Sequence, residues 1–158
     1  GLAGKINLHL WGKIDPKNKE LATKLNIQDL VHFSGLLDKE SNLKKLGEMD
    51  MLFLPLEVGV VPDKSLFIPG KVYEYLLLEK PILSIGGDSD ARDLVEQSGL
   101  GFQFDHENLE QLISFLQTLV SGEKCLDVNP NKALIQSKSF KHLAGDLSQI
   151  FDKLLLNC

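Results

Sequence analysis

The stretch IPGKVYEYL at residues 68–76, followed by PILSI at residues 81–85, decides the fold. Pro69 and Gly70 are typical of a helix start, because proline fits the first helical turn, where its missing amide would be unpaired anyway. Apolar residues at helical spacing then predict a helix over residues 71–79. The second run is almost entirely apolar, which is typical of a short parallel strand that is buried on both faces. The stretch is therefore a helix that leads into a buried strand.

The same alternation of strand and helix continues on both sides of this stretch. Further strands are predicted over residues 5–12, 30–35, 51–55 and 101–104, and further helices over residues 16–25, 39–47, 90–98 and 109–120. A final helical tail covers residues 131–156 and is expected to break near His142. This order predicts an α/β fold, a Rossmann-like doubly wound parallel sheet of about five strands with helices on both faces. Ligands of such sheets bind outside the carboxyl ends of the strands.

Composition limits the function classes. The chain has 158 residues, which is the size of one domain, and it is 43% hydrophobic and 25% charged, as in globular proteins. Its net charge of −5 makes it a poor binder of nucleic acid, which needs clustered cations. The two cysteines, Cys125 and Cys158, make neither a disulfide framework nor a zinc site, and a cytoplasmic location is expected. We therefore assign no metal, no cofactor and no nucleic-acid partner.

The start of the helix at residues 69–71 has the chemistry of a diphosphate site. The first amides of a helix have no intrahelical partner, and the helix dipole is positive at this end. Gly70 permits close approach of the backbone to a ligand, and Lys71 adds a cation. The alternative is that Lys71 and Glu74 form an exposed ion pair of little consequence, and that Pro69 and Gly70 only begin a helix.

Four motifs in this order resemble the donor-binding half of GT-B glycosyltransferases, in the family-4-type group that uses nucleotide-activated sugars. They are LHLWG at 8–12, VHFSGL at 31–36, MDMLFLP at 49–55, and a helical glutamate seven residues before the proline of the next strand, Glu74 and Pro81. The resemblance covers about residues 5–120. It implies a single C-terminal, donor-binding domain over residues 1–158.

The resemblance also implies roles for individual residues. Glu74 would accept hydrogen bonds from the ribose hydroxyls of a UDP- or GDP-type donor, and backbone groups at Gly35 and Leu36 would hold the nucleobase. Many members place another glutamate eight residues before the helical one, where this chain has Leu66. Asp63 is the nearby carboxylate that could replace it at the sugar. No catalytic residue is assigned.

The activity that the resemblance implies is transfer of a sugar from a nucleotide-sugar to a hydroxyl acceptor. Retention of anomeric configuration and a role in bacterial polysaccharide or lipopolysaccharide biosynthesis are implied as well. The family has an N-terminal acceptor domain and a first strand–helix unit that this chain lacks, so we expect an inactive part of a longer protein. Membrane association through the missing half stays open. If the strands at 5–11 and 51–55 pair directly with each other, the sheet order is 2-1-3-4-5.

Two other functions remain open at this point. A flavodoxin-like binding module would need a phosphate loop rich in Ser, Thr or Gly after the first strand, and residues 12–15, GKID, match it poorly. A nucleotide-sugar epimerase on the same scaffold would need a dense set of His and Glu, which the sequence does not show.

Overall fold

The computed structural model describes residue 2 and residues 4–56 and 64–156. Strands and helices alternate along these residues in the following order: β1 (Leu8–Trp11), α1 (Pro16–Lys24), β2 (Val31–Ser34), α2 (Lys39–Glu48), β3 (Leu52–Pro55), α3 (Gly70–Leu77), β4 (Ile82–Ile85), α4 (Asp90–Gln97), β5 (Gly101–Phe104), α5 (Leu109–Ser121), α6 (Lys132–Ser137) and α7 (Phe140–Leu156). Every predicted element is present within a few residues. The tail breaks just before His142, as predicted, and the α/β fold class is confirmed.

Local chemistry explains where several helices begin and end. The Asp15 side chain accepts a hydrogen bond from the backbone amide of Lys17 and so caps α1, and Ser89 caps α4 in the same way. Gly99 follows α4 with a φ of 71°, and a Cβ there would lie 2.1 Å from the carbonyl oxygen of Asn129. Only glycine fits this turn, because any side chain would meet both the positive φ and the neighbouring backbone.

The chain divides into two compact units. The first unit comprises residues 1–48 and 110–126, and the second comprises residues 49–109 and 127–158. In the first unit β1 and β2 pair in parallel, with Leu8 opposite Val31. His9 and His32 lie opposite each other in this pair, and their rings are stacked with centroids 4.6 Å apart.

The second unit contains a three-stranded parallel sheet in the order β3-β4-β5. Ile82 of β4 pairs with Leu52 on one side and with Gly101 on the other. Helices and strands share one apolar core, formed by Leu54, Leu56, Val72, Leu76, Ile82, Ala91, Leu94, Val95, Leu100 and Ile135. Burial of these side chains supplies the main stabilising term and fixes the position of α3 and α4 on the sheet.

The predicted sheet order 2-1-3-4-5 is wrong for the described backbone, whose strands form one sheet of two strands and another of three. Neighbouring residues of a parallel strand direct their backbone groups to opposite edges, and the Leu52 amide donates to Pro81, beside β4. The Phe53 carbonyl therefore faces the outer edge of β3, where it accepts a hydrogen bond from the Tyr75 hydroxyl at 3.2 Å. Pro55 has no amide to donate. This edge offers few backbone groups to a further strand.

Candidate functional site

The N-terminus of α3 lacks a side-chain cap. Pro69 occupies the N-cap position in an extended conformation and forms no capping hydrogen bond through its side chain. The Val72 amide donates to the Pro69 carbonyl at 3.0 Å. Among the described residues, nothing accepts a hydrogen bond from the amides of Gly70 and Lys71. These two donors, at the positive end of the helix dipole, are suited to an anion.

The opposite face of α3 holds this helix end in place. Val72 and Leu76 are fully buried in the core of the second unit. Tyr73 and Tyr75 pack against the same core. Burial, and secondarily the charge of Glu74, raises the pKa of Tyr75, so the phenol stays protonated and donates to the Phe53 carbonyl. The helix is therefore anchored along its length, while Gly70 and Lys71 at its start are exposed.

Two charged side chains extend from this exposed turn. Lys71 is exposed and Glu74 is half-buried, one turn further along α3. Within the part of the chain that the structure describes, they form no ion pair with each other and no other hydrogen bond. The alternative of a structural Lys71–Glu74 pair therefore finds no support in these contacts. Both groups are available to a ligand, the ammonium for an anion and the carboxylate for hydroxyl groups.

An ion pair that the sequence analysis did not predict holds the segment before α3 against the start of α4. The Lys64 ammonium lies 2.9 Å from the Asp90 carboxylate and also contacts Asp93, at the start of α4. The hydrogen bonds that Lys64 donates to Asp93 and, to a smaller extent, to Asp90 raise the pKa of Lys64. Backbone bonds reinforce the contact, because the Ser65 amide donates to the Asp88 carbonyl and the Asp90 amide donates to the Ser65 carbonyl. Residues 66–69 therefore connect Ser65, which is bonded to the start of α4, with helix α3, which packs on the core.

The Arg92 guanidinium lies beside Gly86, just after the end of β4, and it is already hydrogen-bonded within the protein. Its Nε donates to the Gln103 side chain at 2.9 Å, and one terminal nitrogen contacts the Gly86 carbonyl at 3.4 Å. The Gln103 amide returns a bond to the Arg92 carbonyl at 2.6 Å. Gly86 itself allows a close approach, since a Cβ there would lie 2.6 Å from the Leu56 Cβ. Of Arg92 and Lys71, Lys71 is therefore the residue whose charged group remains available to bind an anion.

The remaining predicted site residues are Gly35, Leu36 and Asp63. Gly35 and Leu36 follow β2 in the first unit and are exposed, and the Gly35 carbonyl accepts a bond from the Gly12 amide at 3.2 Å. Their role at a nucleobase stays a prediction. Asp63 lies outside the described residues. Leu66, where the resemblance would place a second glutamate, is exposed.

Nowhere in residues 4–56 and 64–156 do three His, Cys, Asp or Glu side chains come together as a metal site would require. None of the helices that these residues form is both long enough and apolar enough to cross a membrane.

Comparison with known proteins identifies the fold. No family model matches the chain, and no curated protein matches it at a significant level. The chain is similar to a solved structure, Anabaena Alr3699/HepE in complex with UDP, with a TM-score of 0.67 and 17% sequence identity. The likeness covers 94% of this chain and 41% of that chain, so the present chain spans less than half of its length. It confirms the Rossmann-like α/β architecture of a GT-B half.

Proposed function

We propose that this chain is the donor-binding part of a glycosyltransferase, which transfers a sugar from a nucleotide-sugar to a hydroxyl acceptor. The observation that carries the proposal is the uncapped start of α3, where free amides at Gly70 and Lys71 adjoin the Lys71 ammonium and the Glu74 carboxylate. The UDP bound in the similar HepE structure supports a donor of the UDP type. GDP remains the second choice.

Each group at the α3 start has a role in this proposal. The Gly70 and Lys71 amides bind the diphosphate, Lys71 neutralises part of its charge, and Glu74 accepts hydrogen bonds from the ribose hydroxyls. When the bond between the sugar and the diphosphate breaks, negative charge grows on the departing phosphate oxygen. Fixed donors at the helix end stabilise that charge without reorganising, which lowers the barrier.

The finer parts of the proposal come from the family resemblance. Gly35 and Leu36 hold the nucleobase through backbone groups, and Asp63 contacts the transferred sugar. Transfer retains the anomeric configuration, and the acceptor belongs to a bacterial cell-surface polysaccharide or lipopolysaccharide. An N-terminal half supplies the acceptor site and any membrane contact, and the protein acts in the cytoplasm. The chain alone binds nucleotide but transfers no sugar.

A flavodoxin-like binding module is disfavoured by the start of α1. In that fold the phosphate would bind at the loop after the first strand, which leads into this helix. Here the Asp15 carboxylate accepts a hydrogen bond from the Lys17 backbone amide and so already occupies the position at the helix start where a phosphate would bind. A negative charge at this point repels phosphate.

Isothermal titration of the chain with UDP, GDP, ADP and uridine tests the proposal. UDP should bind more tightly than uridine, because only UDP reaches the helix end with its diphosphate. Glu74→Gln should weaken binding of UDP and uridine alike, since both carry the ribose, whereas Lys71→Gln should weaken UDP alone. Glu79→Gln, beyond the other end of α3, is the matched control and should change neither. Equal affinity for UDP and uridine would contradict the diphosphate site.

A further inference from the structure

A hydrogen bond between two side chains joins the end of β1 to helix α2. The Trp11 indole nitrogen donates to the side-chain oxygen of Asn42 at 2.6 Å. Both residues are half-buried, and both belong to the first compact unit. An indole N–H can only donate, so the Asn42 side chain must direct its oxygen toward Trp11. Its NH2 group is thereby turned away from Trp11 and offers two donors.

The surroundings of this NH2 group lie at the carboxyl ends of β1 and β2. Trp11 is the register partner of Ser34, and the Gly12 amide donates to the Ser34 and Gly35 carbonyls at 3.3 and 3.2 Å. An ideal Cβ built on Gly12 or on Gly35 meets no heavy atom within 4 Å, and Leu36 is 80% exposed. The oriented amide therefore adjoins an open edge of the sheet, where ligands of such folds bind.

Both helices that start at this edge are already capped by carboxylates. Asp15 caps α1, and Asp38 accepts hydrogen bonds from the Ser41 amide at 2.9 Å and from the Ser41 hydroxyl at 2.6 Å. These bonds, first the one from the hydroxyl, lower the pKa of Asp38, so its carboxylate is charged at neutral pH. Negative charge at both helix starts disfavours an anion. The edge suits a neutral ligand group that presents an acceptor.

The Asn42 NH2 group determines which acceptor fits. Among the residues that the structure describes, none accepts a hydrogen bond from this group. A primary amide nitrogen can donate but cannot accept, and its orientation is fixed by the bond on the oxygen side. A carbonyl oxygen on a ligand ring is therefore favoured at this point, and a ring amino group would bring two donors together.

We propose that Asn42 selects uracil over cytosine by donating a hydrogen bond to the 4-oxo group of the base. Cytosine has an amino group at this position, which is a donor and would leave both groups unpaired. Trp11 is the positioning residue, because its indole N–H decides which end of the Asn42 amide faces the base. This inference rests on the proposed function, which brings the nucleobase to the backbone of Gly35 and Leu36.

Isothermal titration of the whole chain with UDP and CDP, which differ only in the base, tests this selection. The wild-type chain should bind UDP about fivefold or more tightly than CDP. Asn42→Asp should reverse the preference, because a carboxylate accepts from the cytosine amino group and keeps an oxygen for Trp11. Trp11→Phe should bring the two affinities close together, because the released amide can turn either end toward the base. Asn18→Asp, exposed on α1, makes the same charge change and should leave the UDP-to-CDP ratio unchanged.

The outcomes separate this inference from the function on which it rests. Equal binding of UDP and CDP by the wild-type chain would overturn the selection by Asn42 and leave the nucleotide site standing. Binding of neither nucleotide would overturn the proposed function, and this inference with it. A wild-type ratio in Asn42→Asp would exclude contact between this side chain and the base. A wild-type ratio in Trp11→Phe, with the variant folded by circular dichroism, would exclude the positioning role of the indole.

Discussion

Replacing Gly70 by alanine separates ligand binding from folding at the proposed site. Gly70 is exposed, its φ lies outside the left-handed region, and no heavy atom lies within 4 Å of an ideal Cβ built on it. The folded chain therefore accommodates the methyl group without strain. Because alanine also restricts the unfolded chain, Gly70→Ala should raise the free energy of unfolding by about 0.4–1 kcal/mol.

The same methyl group should impair nucleotide binding. A diphosphate oxygen bound to the Gly70 amide lies about 2.8 Å from that nitrogen, in the space that the new Cβ crowds. Loss of one charged hydrogen bond is worth about 1.5–3 kcal/mol, which corresponds to roughly a 10- to 150-fold weaker affinity for UDP. The variant should thus be more stable and a poorer binder.

Urea denaturation and titration with UDP measure the two effects on one protein sample. Gly145→Ala, in the exposed part of α7, is the matched control, because an added Cβ there also meets no heavy atom within 4 Å. It should raise stability and leave UDP affinity unchanged. Unchanged UDP affinity in Gly70→Ala would refute close approach of the diphosphate at this residue, and a clear loss of stability would refute the assigned geometry of the helix start.

Three further predictions concern the surroundings of the site. Leu76→Ala, at a side chain with 1% exposure, should lower the free energy of unfolding by about 2–5 kcal/mol, measured from the urea midpoint. Lys64→Met should weaken UDP binding by loosening the segment before α3, and Lys64→Arg should retain binding; equal titration curves for Met, Arg and wild type would exclude this role. Burial raises the pKa of Tyr75 above 10.0, so its stabilising contribution is present below pH 10 and is lost as pH rises through the folded value. Tyr75→Phe should remove that alkaline loss, and a stability curve equally steep above pH 10 in both proteins would contradict it.

The helices and strands were predictable because their signals are local. Asp15 before a proline, a glycine after α4, and short apolar runs each determine structure within a few neighbouring residues. The sheet order was not predictable in the same way, since it depends on which strand edges meet. The Tyr75 hydroxyl occupies the outer edge of β3 from 22 residues away, and no local pattern announces such a contact.

In the candidate site, too, local features were predictable from the sequence and contacts between distant residues were not. The spacing from Glu74 to Pro81 and the Pro69–Gly70 start identified the exposed turn of α3, which the structure leaves uncapped. Lys64 escaped prediction because its partner Asp93 lies 29 residues away. Exposed ion pairs have no periodicity in sequence. Asp90 and Asp93 in the first turn of α4 were the available signal, but the helix dipole alone favours carboxylates there, so they do not predict a lysine partner.

The most direct test of the central claim is a crystal structure of the chain soaked with UDP. The account predicts diphosphate oxygens within hydrogen-bonding distance of the Gly70 and Lys71 amides, with the Glu74 carboxylate at the ribose hydroxyls. UDP bound elsewhere, or a Glu74 side chain directed away from the bound ribose, would contradict it.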